Sequence, residues 1–163
     1  MVDEALRATG GAAEAGGTRL GQKDALAAKA RSEATEGRVN GITFDAGGLI
    51  ALERNDRRLF SILDAALEDG DRIIVPATAL AQVIRNPAKQ ARLWRVIQFD
   101  KTEVVPLDGA HAQAVGALLA QTGTSDITDV HVAVCAQTAG YAFITSGPID
   151  LKRLDPKLRL IRV

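Results

Sequence analysis

The chain is short of cysteine, histidine, aromatic residues and net charge, and each shortage removes a class of function. Cys135 is the only cysteine, which excludes an intramolecular disulfide and a cysteine-rich metal site. It sits in the apolar run VHVAVCAQ and reads as an inert thiol inside a buried helix. The two histidines, His111 and His131, read as structural or surface residues, and His131 stands two positions past Asp129, hence on another helical face. Twenty basic residues balance twenty acidic ones, so no overall field draws the chain to a polyanion and any such site is local. No apolar run approaches the roughly 20 residues that span a bilayer, and the amino terminus has no signal-peptide core, so a cytoplasmic protein without membrane association is expected. GxGxxG, GxxxxGK[ST] and GxSxG are all absent, which leaves no fingerprint for a dinucleotide, a Walker-type phosphate site or a nucleophile elbow. Aromatics make up 4% of a chain that is 47% hydrophobic, so its core is built from Ala, Val, Leu and Ile, a composition suited to a helix-covered parallel sheet.

A length of 163 residues fits one domain with a real core. Residues 1–40 differ from the rest: ten Ala, six Gly and few large apolar side chains bury too little surface to offset chain entropy. They are expected to be a poorly ordered or partner-docking extension, in which the Ala-, Lys- and Glu-rich stretch 22–35 has helical propensity. Residues 41–163 alternate strand-like and helical patterns. Strands are expected at 42–44, 72–75, 103–105, 141–144 and 158–163. Helical spacing appears at 49–53, 59–67, 80–84 (with Thr78 as N-cap), 88–96, a segment opening at Pro106 and Asp108, and 125–138. Such alternation implies right-handed βαβ crossovers, a central parallel sheet and a layer of helices on each face.

Four acids fall at the carboxyl ends of these strands or at the start of the following helix: Asp45 in ITFDAG, Asp126 and Asp129 in TSDITDV, and Asp150 in TSGPIDL. Open α/β sheets hold their ligands at that rim. Asp45 directly follows a buried strand and precedes two glycines that permit close backbone approach; its alternative role is a helix N-cap. Asp126 and Asp129, three apart, share a helical face, and Asp126 also suits a capping role. Asp150 also reads as a turn residue. Clustered carboxylates without a histidine or cysteine cluster favour Mg²⁺ or Mn²⁺ over zinc. A second local feature is the stretch from Arg72 to Gln98, which contains no Asp or Glu. Its Arg85, Lys89, Arg92 and Arg95 form either a solvated face or a contact for an RNA backbone, with Trp94 stacking or packing beside them.

In order and spacing these motifs resemble PIN-domain proteins, especially VapC-like toxins of toxin-antitoxin pairs. ITFDAGGLIAL is similar to the first strand, acid and small-residue turn of that family, TDVHVAVCA to its later acid-headed helix, and YAFITSGPIDL to its last strand and turn. The resemblance implies a three-layer α/β/α fold, Mg²⁺-dependent endoribonuclease activity, homodimers and a small cognate antitoxin. By motif position it makes Asp45 and Asp129 the principal metal ligands, supported by Asp126 and Asp150. Two positions depart from the pattern. Gln82 stands where the family has an acid after its second strand, and Gly147 replaces the acid of a Thr-x-Asp turn, with Asp150 three residues later as its substitute. Within residues 1–40, VDEALRATGG is similar to the end of a small antitoxin. A catalytically weakened module that binds RNA or protein is the alternative function, and a phosphoacceptor domain is disfavoured by the absence of a second acid near the first strand.

Overall fold

The computed structural model describes residues 40–86, 90–147, 152 and 154–163. The expectations for residues 1–39, Lys89 and Asp150 lie outside the described residues. Gly41–Phe44 (β1), Arg72–Pro76 (β2), Thr102–Val105 (β3), Ala142–Thr145 (β4) and Leu160–Arg162 (β5) are strands. They pair in parallel in the order β3-β2-β1-β4-β5. A parallel sheet covered on both faces has no solvated side, and GITF in β1 and AFIT in β4 are accordingly buried end to end.

Among the described residues six helices flank this sheet: Ala46–Glu53 (α1), Arg57–Glu68 (α2), Ala77–Val83 (α3), Ala91–Ile97 (α4), Gly109–Thr122 (α5) and Ile127–Ala139 (α6). The result is the expected three-layer α/β/α architecture. None of the helices is long and apolar enough to cross a membrane. In α2 the buried residues Leu59, Ile62, Leu63 and Ala66 repeat at helical spacing, and the Asp56 carboxylate caps the helix by accepting the Leu59 N–H at 2.9 Å. In α6 every residue from Val130 to Ala136 is buried, as suits a helix enclosed by its neighbours. Gly123 and Gly140 follow α5 and α6 in the left-handed conformation.

Side chains alternate across the strands. Ile73 and Val75 enter the main cluster with Phe44, Leu49, Leu52, Leu59 and Phe143, while Ile74 points the other way to Val105 and Cys135. Each fully buried Leu, Ile or Phe contributes roughly 1.5–3 kcal/mol relative to exposure, so the sheet is held chiefly by these aliphatic layers.

Element boundaries differ from the sequence reading in several places. Helix α3 starts at Ala77, one residue before Thr78, because Pro76 occupies the cap position with its ring-fixed φ of −61°. Thr78 is therefore not an N-cap, and its hydroxyl instead lies 2.9 Å from His131 Nδ1. Strand β4 runs one residue later than expected, since Tyr141 precedes the first ladder pair, Ile42 with Ala142. Strand β5 is shorter, because Leu158 packs into the core before pairing begins at Leu160.

The sheet order positions the site. From β1 the chain moves in one direction to β2 and β3, then returns to the other side of β1 to form β4 and β5. The order reverses between β1 and β4, and the crevice outside the carboxyl ends of such a strand pair is where α/β sheets bind ligands.

Candidate metal-binding acidic site

Asp45 ends β1 at this reversal, and its backbone N–H donates to the Ile144 carbonyl of β4 at 3.2 Å. Its side chain caps α1 by accepting the Gly48 N–H. Close approach is required here. A Cβ on Gly48 would lie 2.8 Å from the Ile144 carbonyl oxygen, and one on Gly47 would collide with the Ser146 side chain. The two glycines therefore let the first turn of α1 sit on the end of β4, which brings Asp45 against Thr145. The buried Thr145 hydroxyl hydrogen-bonds the Asp45 carboxylate and accepts the Gly147 N–H at 2.9 Å.

Asp45 is 8% exposed. Burial raises its pKa, and the hydrogen bonds from Thr145, Gly48 and Gly47 only partly oppose that shift. Among the described residues none of the groups acting on it is a cation. A folded-state pKa above the ordinary value of 3.8 means that the folded protein binds this proton more tightly than the unfolded chain does. The corresponding stability is fully present below 3.8 and is lost as pH rises through the folded value, so at neutral pH the ionised carboxylate destabilises the metal-free protein. Asparagine caps helices as well as aspartate. Asp45→Asn is accordingly expected to raise the unfolding temperature of the metal-free protein at neutral pH, and the gain should vanish in acid, as thermal circular dichroism in the presence of chelator would show.

Asp126 is exposed and caps α6, its carboxylate accepting the Asp129 N–H at 2.9 Å. The capping role foreseen for it is thus observed. Asp129 lies half-buried in the first turn of the same helix. Gln82, near the end of α3, donates from Nε2 to the Thr128 hydroxyl at 3.1 Å and so tethers α3 to the residue beside Asp129. Asp45 is thereby gathered with the turn after β4, and Gln82 with the start of α6. Asp45, Asp126 and Asp129 each offer oxygen donors of the kind that Mg²⁺ or Mn²⁺ takes, but the described residues do not bring these three acids within 4.8 Å of one another.

On the basic stretch, Arg85, Arg92 and Arg95 are exposed. Arg92 and Arg95 line a pocket of about 330 Å³ together with Glu53, Gln90 and Ala91. Gln90, which sequence reasoning did not single out, organises this corner. It is 6% exposed, its Oε1 accepts the Arg85 N–H at 3.1 Å, and its Nε2 donates to the Val83 carbonyl at 3.0 Å and to Glu53. Trp94 is half-buried. Cys135 is buried as expected, and desolvation pushes its thiol up to about 12. His131 is fully buried, with its pKa lowered by that burial.

Comparison with known proteins bears on the family and the fold. No curated protein sequence was found to match. Among solved structures, a chain of VapBC2 from Rickettsia felis, in a crystal structure bound to a DNA fragment from their promoter, is similar in fold. The match covers 74% of this chain and 97% of that chain, with a TM-score of 0.57 and 18% sequence identity. The family model for the PIN domain matches residues 42–156, which include β1 from its second residue, β2 to β4 and all six helices. With an acid at the end of the first strand of a five-stranded parallel sheet and a family match over most of its length, the chain belongs to the PIN-domain family.

Proposed function

We propose that this protein is a VapC-like, Mg²⁺- or Mn²⁺-dependent endoribonuclease that hydrolyses RNA phosphodiesters. PIN domains are generally nucleases. The observation that carries the finer reading is the buried Asp45 carboxyl at the reversal of strand order, with no cation among the described groups acting on it. In this reading Asp45 and Asp129 hold the ion, supported by Asp126 and Asp150. When bound, such an ion supplies positive charge to a phosphodiester oxygen and acidifies a water. The chain does the rest. Thr145 orients the Asp45 carboxylate, Gly47 and Gly48 let α1 pack against the end of β4 so that Asp45 meets Thr145, and Arg85, Lys89, Arg92 and Arg95 hold the RNA backbone. Residues 1–40 are assigned to partner docking, with a small cognate antitoxin and a second copy of the chain as partners in the cytoplasm. The test is cleavage of a mixed RNA pool with each ion. Metal-dependent cleavage by the purified protein supports the reading, and RNA binding without cleavage in either ion overturns it.

That second outcome would fit a catalytically weakened module that binds RNA or protein. One observation favours it: Gln82 replaces an acid with a neutral amide whose nitrogen is already engaged by Thr128.

A further inference from the structure

We propose that His111, His131 and Cys135 form a binding site for one borderline divalent cation of the zinc class, separate from the acidic rim. One donor atom from each of the three residues lies within 4.8 Å of the other two, the trio so placed among the described residues. His131 and Cys135 are four apart on α6 and share a face. His111 comes from the first turn of α5, where the Asp108 cap accepts its backbone N–H at 2.9 Å. The two imidazoles meet edge to face, with centroids 5.5 Å apart and planes at 79°.

The outer partners match a metal site as well. Histidine ligands usually hold a carboxylate, carbonyl or other polar group on the nitrogen that does not face the metal, which fixes ring and tautomer. Here Asp108 Oδ1 lies 3.1 Å from His111 Nδ1, and Thr78 Oγ1 lies 2.9 Å from His131 Nδ1. Nε2 of His131 is then left fully buried with no hydrogen-bond partner. The Pro106 carbonyl also acts on that ring as a backbone hydrogen-bond partner, without completing a bond to Nε2 by distance and angle. With the ring proton on Nδ1, toward Thr78, the buried Nε2 offers its lone pair to a Lewis acid.

Two imidazoles and a thiol select zinc, cobalt, nickel or copper over magnesium. Without metal the Cys135 thiol keeps its proton. On binding, the S–H bond breaks, a sulfur–metal bond forms and the proton passes to solvent. Thiolate and Asp108 carboxylate then balance the divalent charge. Three protein ligands leave one position for water, and the 25% exposed His111 side chain provides the access route. The bound ion would pin α5 to α6 and, through Thr78, to α3.

The test uses the full-length protein, stripped with chelator and titrated with Co²⁺ and then Zn²⁺. A thiolate-to-cobalt charge-transfer band that Zn²⁺ abolishes is expected. Cys135→Ser and His111→Ala should each weaken Zn²⁺ binding by about 100-fold or more, and Thr78→Ala by about 10-fold. His111 is only half-buried, so His111→Ala keeps the test valid if Cys135→Ser fails to fold. Absence of the charge-transfer band at saturating Co²⁺, or unchanged Zn²⁺ affinity in His111→Ala, would overturn the site. Asp45→Asn should retain Zn²⁺ affinity within about 2-fold; loss of binding in that variant would move the metal to the acidic rim and overturn the assignment equally.

Discussion

Asp129→Asn is expected to lower Mg²⁺-dependent RNA cleavage by about 100-fold or more with little effect on folding. An ion held at a phosphodiester contributes several kcal/mol of charge stabilisation in the transition state, and each 1.36 kcal/mol of that is a factor of about ten in rate. Asparagine keeps the size of the side chain and one neutral oxygen but removes the charge that holds the ion. Asp129 is half-buried in the first turn of α6, where a negative charge gains about 0.3–1 kcal/mol from the helix dipole, and asparagine keeps an oxygen acceptor at the same place. Asp126→Asn makes the contrast. Its carboxylate is exposed and engaged in capping, a role asparagine fills equally well, so cleavage should fall far less. Cleavage rates for the two variants on one RNA pool, beside their thermal unfolding curves, check the pair.

Phe143→Ala is expected to destabilise the protein by about 3–5 kcal/mol, measurable as a shift in denaturant midpoint. Phe143 is fully buried in the middle of β4, paired in register with Thr43 on one side and Leu160 on the other. Removing the ring deletes its transfer free energy and leaves a cavity beneath the strand pair that carries the site. That loss is a large share of the 5–15 kcal/mol of a typical domain. Because Asp45 is tied to Ile144 and Thr145, the residues just after Phe143, cleavage should also weaken as temperature rises toward the lowered midpoint. Asp129→Asn loses activity at all temperatures, and that difference separates a lost ligand from a loosened fold.

Much of the fold was legible because its signals are local. Short apolar runs ending at Asp45, Pro76 and Thr145 mark strands of a covered parallel sheet, and Gly123 and Gly140 mark helix ends through their positive φ. The two glycines after Asp45 pointed correctly to close approach, since Cβ atoms there would strike Ile144 and Ser146. Boundaries failed where two local signals competed. Thr78 resembles an N-cap, but Pro76 already fixes the backbone for the first turn of α3, which releases the hydroxyl for His131. Associations between distant segments were out of reach. Nothing local joins Gln82 to Thr128, Gln90 to Glu53, or His111 to His131, and only the packing of α3, α5 and α6 brings them together. The four-residue spacing of His131 and Cys135 was the one sequence signal for that last group, and a buried helical run disguised it.

The most direct test of the acidic site is Mn²⁺ binding by the full-length protein, followed by electron paramagnetic resonance of the free ion. Mn²⁺ prefers oxygen donors, so it reports on carboxylates rather than on the histidines and thiol. Saturable binding by the natural chain, lost or strongly weakened in both Asp45→Asn and Asp129→Asn, is the predicted result. Binding that is equally tight in all three proteins would contradict a metal site at the end of β1.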